Sequence, residues 1–351
     1  MSSYFRPNVE AMTGHTPSHY LKPGSPSIKL NSNENPYPPS PTIRAVLQNL
    51  DLEYLRRYPD ANANELRQAI AAVLQIPLDW IIVGNGCDEL LHVVVRACAE
   101  GKRQVVYPTP TYMLYPLLTE IQPADRVEVA DPADGHLPIE SLVAANGAVT
   151  FITAPNSPFG YGVAIAELRE LAARLTGVLV IDEAYVDFAE ETALPLVQEF
   201  ENVIILRTLS KGYSLAGLRL GFGIAQPQLL QGLLKVKDSY NIDAIAALVG
   251  AAAMRDQTYK DACVAKVKAS RTKLAQDLQH LGFWVWNSQT NFLLVEPPEK
   301  NAEQIFLALK EQDIWIRYFH QSGLKDKLRI TIGTNEQNQT LWEGLRQWRN
   351  I

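Results

Sequence analysis

The sequence predicts an α/β fold, with a large domain on a mostly parallel sheet followed by a smaller α+β domain. Three observations carry this reading. Short apolar runs recur along the first two thirds of the chain with helical patterns between them; an alanine-rich helical stretch follows; and the period then shifts again. Strands alternating with helices favour parallel pairing, because each parallel strand needs a crossover and a helix supplies it. At 351 residues the chain also exceeds the size at which one core usually stops growing.

Residues 1–30 hold Pro7, Pro17, Pro23, Gly24 and Pro26 without a lasting period, which describes an arm that packs on the body, on the small domain or on a partner chain. A short extended run then enters a loop of asparagines, Glu34 and prolines, stiff and polar enough to rim an active site or to serve as a linker. Helical spacing at 43–50 and 64–74 flanks the turn RRYPD (56–60). After a strand candidate at 80–83, the turn 84–88 (GNGCD) opens an apolar helix reaching about residue 99. Free backbone N–H groups at such a helix start suit a phosphate, so Gly86 and Cys87 are candidates through their backbone, with the Asp88 side chain as a cap. The turn has neither the GxGxxG pattern of a dinucleotide site nor the lysine of a Walker A loop.

A strand at 104–107 leads into PTPTYMLY, where Tyr112 is expected to start a helix at the carboxyl edge of the sheet, its ring free to stack on a flat ligand or to pack in the core. Apolar runs at 126–129, 148–153, 178–181 and 203–206 continue the sheet, with helices at 140–145, 164–174 and 193–199. Beyond a run at 222–225, helices are predicted at 227–236 and 243–280, the latter broken near Gln257. Strands at 283–286, 291–295, 314–318 and 328–332, with helices at 302–311 and 337–349, form the smaller domain. The predicted division is an arm (1–30), a large domain (31–255) and a small domain (256–351).

Lys211 is the chemical centre of this pattern. It follows the run 203–206 and precedes Gly212, so its amine leaves a tight turn at the sheet edge, while Thr208, Ser210 and Arg219 supply donors of the kind that hold a phosphate. A lysine able to form an imine beside a phosphate cradle points to pyridoxal phosphate, which makes the large domain the cofactor-binding one. Asp182 follows VLVI directly and needs a cation or strong donor to offset its desolvation; a protonated pyridine nitrogen is such a partner, and Tyr185 and Asn156 can donate to the ring oxygen. Arg317 and Arg329, each inside an extended run, could bind a carboxylate and a phosphate. No metal is expected, because Asp182 and Glu183 lack nearby histidines, and the six scattered histidines offer no Ser/His/Asp triad.

A net charge of −6 favours neither nucleic acid nor an anionic membrane. Three widely spaced cysteines without a CxxC pair suit a reducing compartment, and the first residues have no apolar signal core, so a cytoplasmic protein is expected.

Taken together, LNSNENP (30–36), RYPD (57–60), GNGCDEL (84–90), PTY (110–112), PNSPFG (155–160), DEAYVDF (182–188), LSKGYSLAGLRLGF (209–222) and LRITIGT (328–334) resemble the histidinol-phosphate aminotransferase family, a branch of the fold type I pyridoxal-phosphate-dependent aminotransferases. The resemblance runs in order from about residue 20 to 349. It implies that Lys211 carries the cofactor, Asp182 meets its ring nitrogen, Tyr185 and Asn156 its ring oxygen, and Tyr112 stacks on the ring. Its phosphate would be held by Thr208, Ser210, Arg219 and the backbone of Gly86 and Cys87, with Tyr58 arriving from the partner subunit of a homodimer with shared active sites. Arg329 would bind the substrate α-carboxylate. Arg317, with Tyr20 and the Asn33 loop, would hold the substrate's phosphate or the side-chain carboxylate of glutamate. The implied reaction is a ping-pong transamination between L-glutamate/2-oxoglutarate and the phosphorylated amino alcohol L-histidinol phosphate, in histidine biosynthesis. An aromatic amino-acid aminotransferase, a decarboxylase of a phosphorylated amino acid and a cofactor-free protein on the same fold are the alternatives.

Overall fold

The computed structural model describes residues 4–12, 21–22 and 24–349. Its strands are β1 (Ile28–Leu30), β2 (Ile81–Asn85), β3 (Gly101–Thr109), β4 (Ala124–Ala130), β5 (Val149–Thr153), β6 (Val178–Asp182), β7 (Val203–Thr208), β8 (Leu220–Ala225), β9 (Trp284–Val285), β10 (Phe292–Glu296), β11 (Ile314–Tyr318) and β12 (Leu328–Thr331). Seven of them form one sheet in the order β2-β8-β7-β6-β5-β3-β4, and five form a second in the order β1-β11-β12-β10-β9.

In the larger sheet β8 alone runs against its neighbours, pairing antiparallel with both β2 and β7. The cause is the connection. Only a loop and the short 3-10 turn Ala216–Leu218 separate β7 from β8, too little chain for a crossover, so the strand folds back beside its predecessor. Lys211 and Arg219 lie in this fold-back.

Side chains on this sheet alternate between two apolar layers, as a pleated strand covered on both faces requires. On β7, Val203 and Ile205 enter one core cluster while Ile204 and Leu206 enter the other. On β6, Leu179 and Ile181 share the first cluster and Val180 joins the second. The strand axis is thereby anchored from both sides, so the residue that follows the last buried aliphatic is held at the carboxyl edge of the sheet.

The smaller sheet has its own core, in which Leu293, Ile316 and Ile330 meet Val267, Leu274 and Leu278 of the helix Gln257–His280. The predicted helical break near Gln257 falls at Asp256, whose carboxylate accepts the N–H of Tyr259 and starts the second helix. β1, within the residues read as the arm, pairs in parallel with β11 and so joins the smaller sheet.

Two local expectations change. Gly84 and Asn85 lie in β2, because the ladder to β8 extends through Gly84↔Gly221 and Asn85↔Leu220, and the helix begins only at Gly86. Tyr112 does not start a helix; that helix is Leu114–Ile121, and Tyr112 precedes it as a turn residue whose carbonyl accepts the Tyr115 N–H.

Replacing Ile205, fully buried in the middle of the sheet, by alanine is expected to lower stability by about 2–5 kcal/mol, read as a shift in the urea unfolding midpoint at unchanged slope.

Candidate active site

The carboxyl ends of β5, β6 and β7 and one edge of the smaller sheet enclose a cleft of about 270 Å³ whose walls include Lys211, Asp182, Tyr185, Tyr112, Arg317 and Arg329. Larger hollows of about 500 and 560 Å³ occur elsewhere on the surface, but neither collects such a set of ionisable groups about a buried carboxylate.

Lys211 lies in the turn after β7. Its Nζ donates to the Ser32 carbonyl at 3.2 Å and stands 5.8 Å from the centroid of the Tyr185 ring. Burial, with the nearby charge of Arg329, lowers its pKa to about 8. Asn35 Nδ2 donates to the carbonyls of Lys211 and Gly212 at 3.1 and 3.2 Å, so the asparagine loop holds the turn as well as the amine.

Asp182 closes β6. Only 4% of it is exposed, and burial raises its pKa to about 6 although the Tyr115 hydroxyl and the Ala184 N–H, at 3.0 and 3.1 Å, oppose that rise. A carboxylate so placed gains from any cation that enters the cleft.

On the other side, Thr208 Oγ1 lies 2.9 Å from Ser210 Oγ and accepts the Ser210 N–H at 3.1 Å. Arg219, in the left-handed region at φ 53°, reaches Ser210 Oγ at 3.4 Å and pairs with Asp88 at 2.9 Å. The Asp88 carboxylate also accepts the Tyr112 hydroxyl at 3.0 Å, so it serves these two side chains and does not cap its helix. Gly86 has φ 79°, and a Cβ there would come within 2.6 Å of the Arg219 guanidinium; glycine lets the helix start approach the arginine. Cys87 adds a buried thiol whose pKa burial pushes well above its ordinary value, leaving its backbone as the useful group.

Asn33, a buried residue with φ 55°, has its side chain committed: Nδ2 donates to the Tyr185 hydroxyl at 2.8 Å and Oδ1 accepts from Thr331 at 3.1 Å. It acts on the cleft through Tyr185. Burial raises the Tyr185 pKa, while Arg329, Asn33 and Ser157 pull against it.

Asn156 departs from expectation. Its Oδ1 accepts the Phe159 N–H at 3.1 Å, and its Nδ2 donates to Tyr161 Oη and Asp131 at 3.1 and 3.3 Å, which turns the amide away from the cleft. Ser157, the next residue of this turn, lines the cavity.

Arg317 and Arg329 are direct cross-strand partners on β11 and β12. Both guanidiniums sit 5.5 Å from the Phe319 ring, and Arg329 also lies 5.1 Å from Phe292. Burial lowers the pKa of each, and the Arg329 Nε is buried without a hydrogen-bond partner among the described residues. Two neighbouring cations and an unused donor make an anion the natural ligand of this corner. Tyr58 is not part of the cleft; it is 84% exposed and stacks on Tyr240 at 4.9 Å. Tyr20 lies outside the described residues.

Residues 25–345 match the family model described as aminotransferase class I and II. The chain belongs to this family. Histidinol-phosphate aminotransferase 1 of Trichormus variabilis is 62% identical to this aminotransferase over 346 residues, 99% of each chain. The histidinol-phosphate aminotransferase of Citrifermentans bemidjiense is 41% identical over 342 residues, 97% of each. Among solved structures, the histidinol-phosphate aminotransferase from Sinorhizobium meliloti in complex with pyridoxal-5′-phosphate aligns with a TM-score of 0.89 at 25% identity, over 99% of both chains. The aminotransferase thus has the fold type I architecture.

Sequence reasoning passed over Ser157, Asn35 and Tyr115. Each lies beside a residue or within a motif that it did select, and only the direction of the side chain distinguishes them.

In the full-length aminotransferase stripped of bound small molecules, labelling of Lys211 by trinitrobenzenesulfonate is expected to be half-maximal near pH 8, followed by peptide mass spectrometry. The amine is charged and unreactive below that pH and nucleophilic above it. A midpoint at the ordinary lysine value of about 10.4 would contradict the burial argument.

Proposed function

We propose that this aminotransferase uses pyridoxal 5′-phosphate to move an amino group between L-glutamate and 3-(imidazol-4-yl)-2-oxopropyl phosphate, forming L-histidinol phosphate and 2-oxoglutarate. The observation that carries the reading is the convergence of a lysine with a lowered pKa, a buried carboxylate and two arginines on one cleft.

The cleft fits the cofactor. Among the described residues no cationic side chain is bonded to Asp182, as the site of a protonated ring nitrogen requires. Arg219, Ser210, Thr208 and the glycine-permitted helix start at Gly86 offer donors to a phosphate, which would compete with Asp88 for Arg219. Tyr112 supplies an aromatic wall, and Tyr185 and Ser157 offer hydroxyls for the ring oxygen. Bound there, pyridoxal phosphate supplies an electron sink that makes the substrate Cα–H acidic.

The chain's own groups do the rest. Lys211 Nζ, with a pKa near 8, can take the proton from substrate Cα and return it, since enough of the amine is neutral near physiological pH. Asp182 stabilises positive charge on the ring side of the cleft. Arg329, with its idle Nε, orients the anionic end of each substrate, and Arg317 beside it extends the positive surface to the second anionic group of glutamate. A planar donor fork can accept a carboxylate or a phosphate, which is what two chemically different substrates demand.

The identities of 62% and 41% to full-length relatives bearing the histidinol-phosphate name support the substrate. No helix among the described residues is long and apolar enough to cross a membrane, in keeping with the cytoplasmic placement that we propose. The active form proposed is a homodimer. Leu52, Tyr54, Leu55 and Tyr58 are all exposed large hydrophobics around the RRYPD turn, a clustering that suits an interface, and Tyr58 would reach the partner's phosphate from it.

With 2-oxoglutarate as acceptor, kcat/KM is expected to be higher for histidinol phosphate than for phenylalanine, and a preference for phenylalanine would defeat the substrate assignment. Arg329→Lys should lower kcat/KM roughly 10- to 100-fold, the weight of charged hydrogen bonds lost with the fork. Co-expression of Lys211→Ala with Tyr58→Ala chains should recover activity above either parent, because a mixed dimer keeps one complete site. Absence of recovery would argue against shared sites.

A further inference from the structure

The geometry points to a donor relay, Thr153 to Tyr115 to Asp182, that orients the Asp182 carboxylate toward the cleft, making Tyr115 a positioning residue for the reaction. The inference rests on the pyridoxal phosphate reading above. A carboxylate only accepts, so the 3.0 Å contact between Tyr115 Oη and Asp182 Oδ2 uses the single phenol proton. The 2.9 Å contact between the Tyr115 hydroxyl and Thr153 Oγ1 must then use the threonine proton, which sets the direction of the chain. Hydrogen bonds in such a sequence polarise one another, the more so in a buried site.

Tyr115 has little freedom to leave this arrangement. It is fully buried, and its ring stacks on Phe151 with centroids 4.6 Å apart and planes 13° from parallel. Tyr107 closes another side at 6.0 Å. Burial raises its pKa well above the ordinary phenol value, so it remains a donor across the working range of pH. With Oδ2 held by Tyr115 and Oδ1 by the Ala184 N–H, the carboxylate plane cannot turn, and its remaining lone pairs are the ones available to a ligand. The same segment carries the wall: Tyr112 meets the Tyr115 ring edge-on at 5.9 Å. One short stretch of chain therefore sets both the aromatic surface and the aim of the carboxylate.

Removal of the phenol oxygen leaves Oδ2 without its donor in a buried pocket, free to rotate and harder to keep charged. What should suffer is recognition of the protonated ring nitrogen, while the phosphate and aldehyde ends of the ligand are untouched. The test compares equilibrium binding of pyridoxal phosphate and of its 1-deaza analogue, in which a C–H replaces the ring nitrogen, to full-length apoprotein. Wild type should prefer pyridoxal phosphate. Tyr115→Phe, which keeps the ring, should lower that preference roughly tenfold, the weight of one hydrogen bond to a charged group, with little change for the analogue. Thr153→Val should move it the same way by less. If Tyr115→Phe weakens both ligands equally, or leaves the preference intact, the relay is overturned and the cofactor reading stands. If wild type binds both equally, the pairing of Asp182 with the ring nitrogen fails and the relay falls with it; if it binds neither, the cofactor reading itself fails. Urea unfolding of each variant, and the Thr153→Val result, guard against misreading a folding defect.

Discussion

A carboxylate buried at the end of a central strand organises the cleft. Asp182 stands where β6 leaves the two apolar layers, and its neighbours on either side are β5 and β7. Burial there raises its pKa to about 6, and among the described residues two fixed donors hold it, so the apoprotein carries a group that a cationic ligand would relieve. The alternation that fills both layers of the sheet is also what sets the depth and direction of this residue. A slip of one residue in β6 would exchange its buried set for the opposite face.

The second requirement is electrostatic. Arg317 and Arg329 lie opposite one another on antiparallel strands of the smaller sheet, both against Phe319, with the Arg329 Nε unpartnered among the described residues. Arg317 disfavours the charge of Arg329 beside it, and burial, with the charge of Arg329, lowers the Lys211 pKa to about 8. An anion bound there would satisfy the arginines. The asparagine loop ties the parts together: Ser32 meets Lys211 Nζ, Asn33 meets Tyr185 and Thr331, and Asn35 meets the Lys211 turn. Because β1 before this loop belongs to the smaller sheet, the loop couples that sheet to the turn after β7.

Much of this was legible in the residues. The short apolar runs of β6 and β7, the glycine at the helix start after β2, and a lysine following an apolar run are local properties, and local properties survive the removal of tertiary context. Asn33 and Asn156 illustrate the opposite case. Both types suit hydrogen bonding to a ligand, yet Asn33 is consumed by Tyr185 and Thr331, and Asn156 by Phe159, Tyr161 and Asp131. Which polar group remains free depends on partners distant in sequence, and no local pattern reports them.

The α/β class and the order of strands and helices could be read from the residues alone, which also mark Lys211 and Asp182 as candidates, because these follow from apolar patterning and from the few chemistries open to a residue type at a strand end. The tertiary structure alone decided that β8 turns back, that Ser157 and not Asn156 faces the cleft, that Tyr115 supports Asp182, and that β11 and β12 bring two arginines side by side. Those outcomes rest on side-chain direction and on contacts between distant segments, which exist only once the chain has packed.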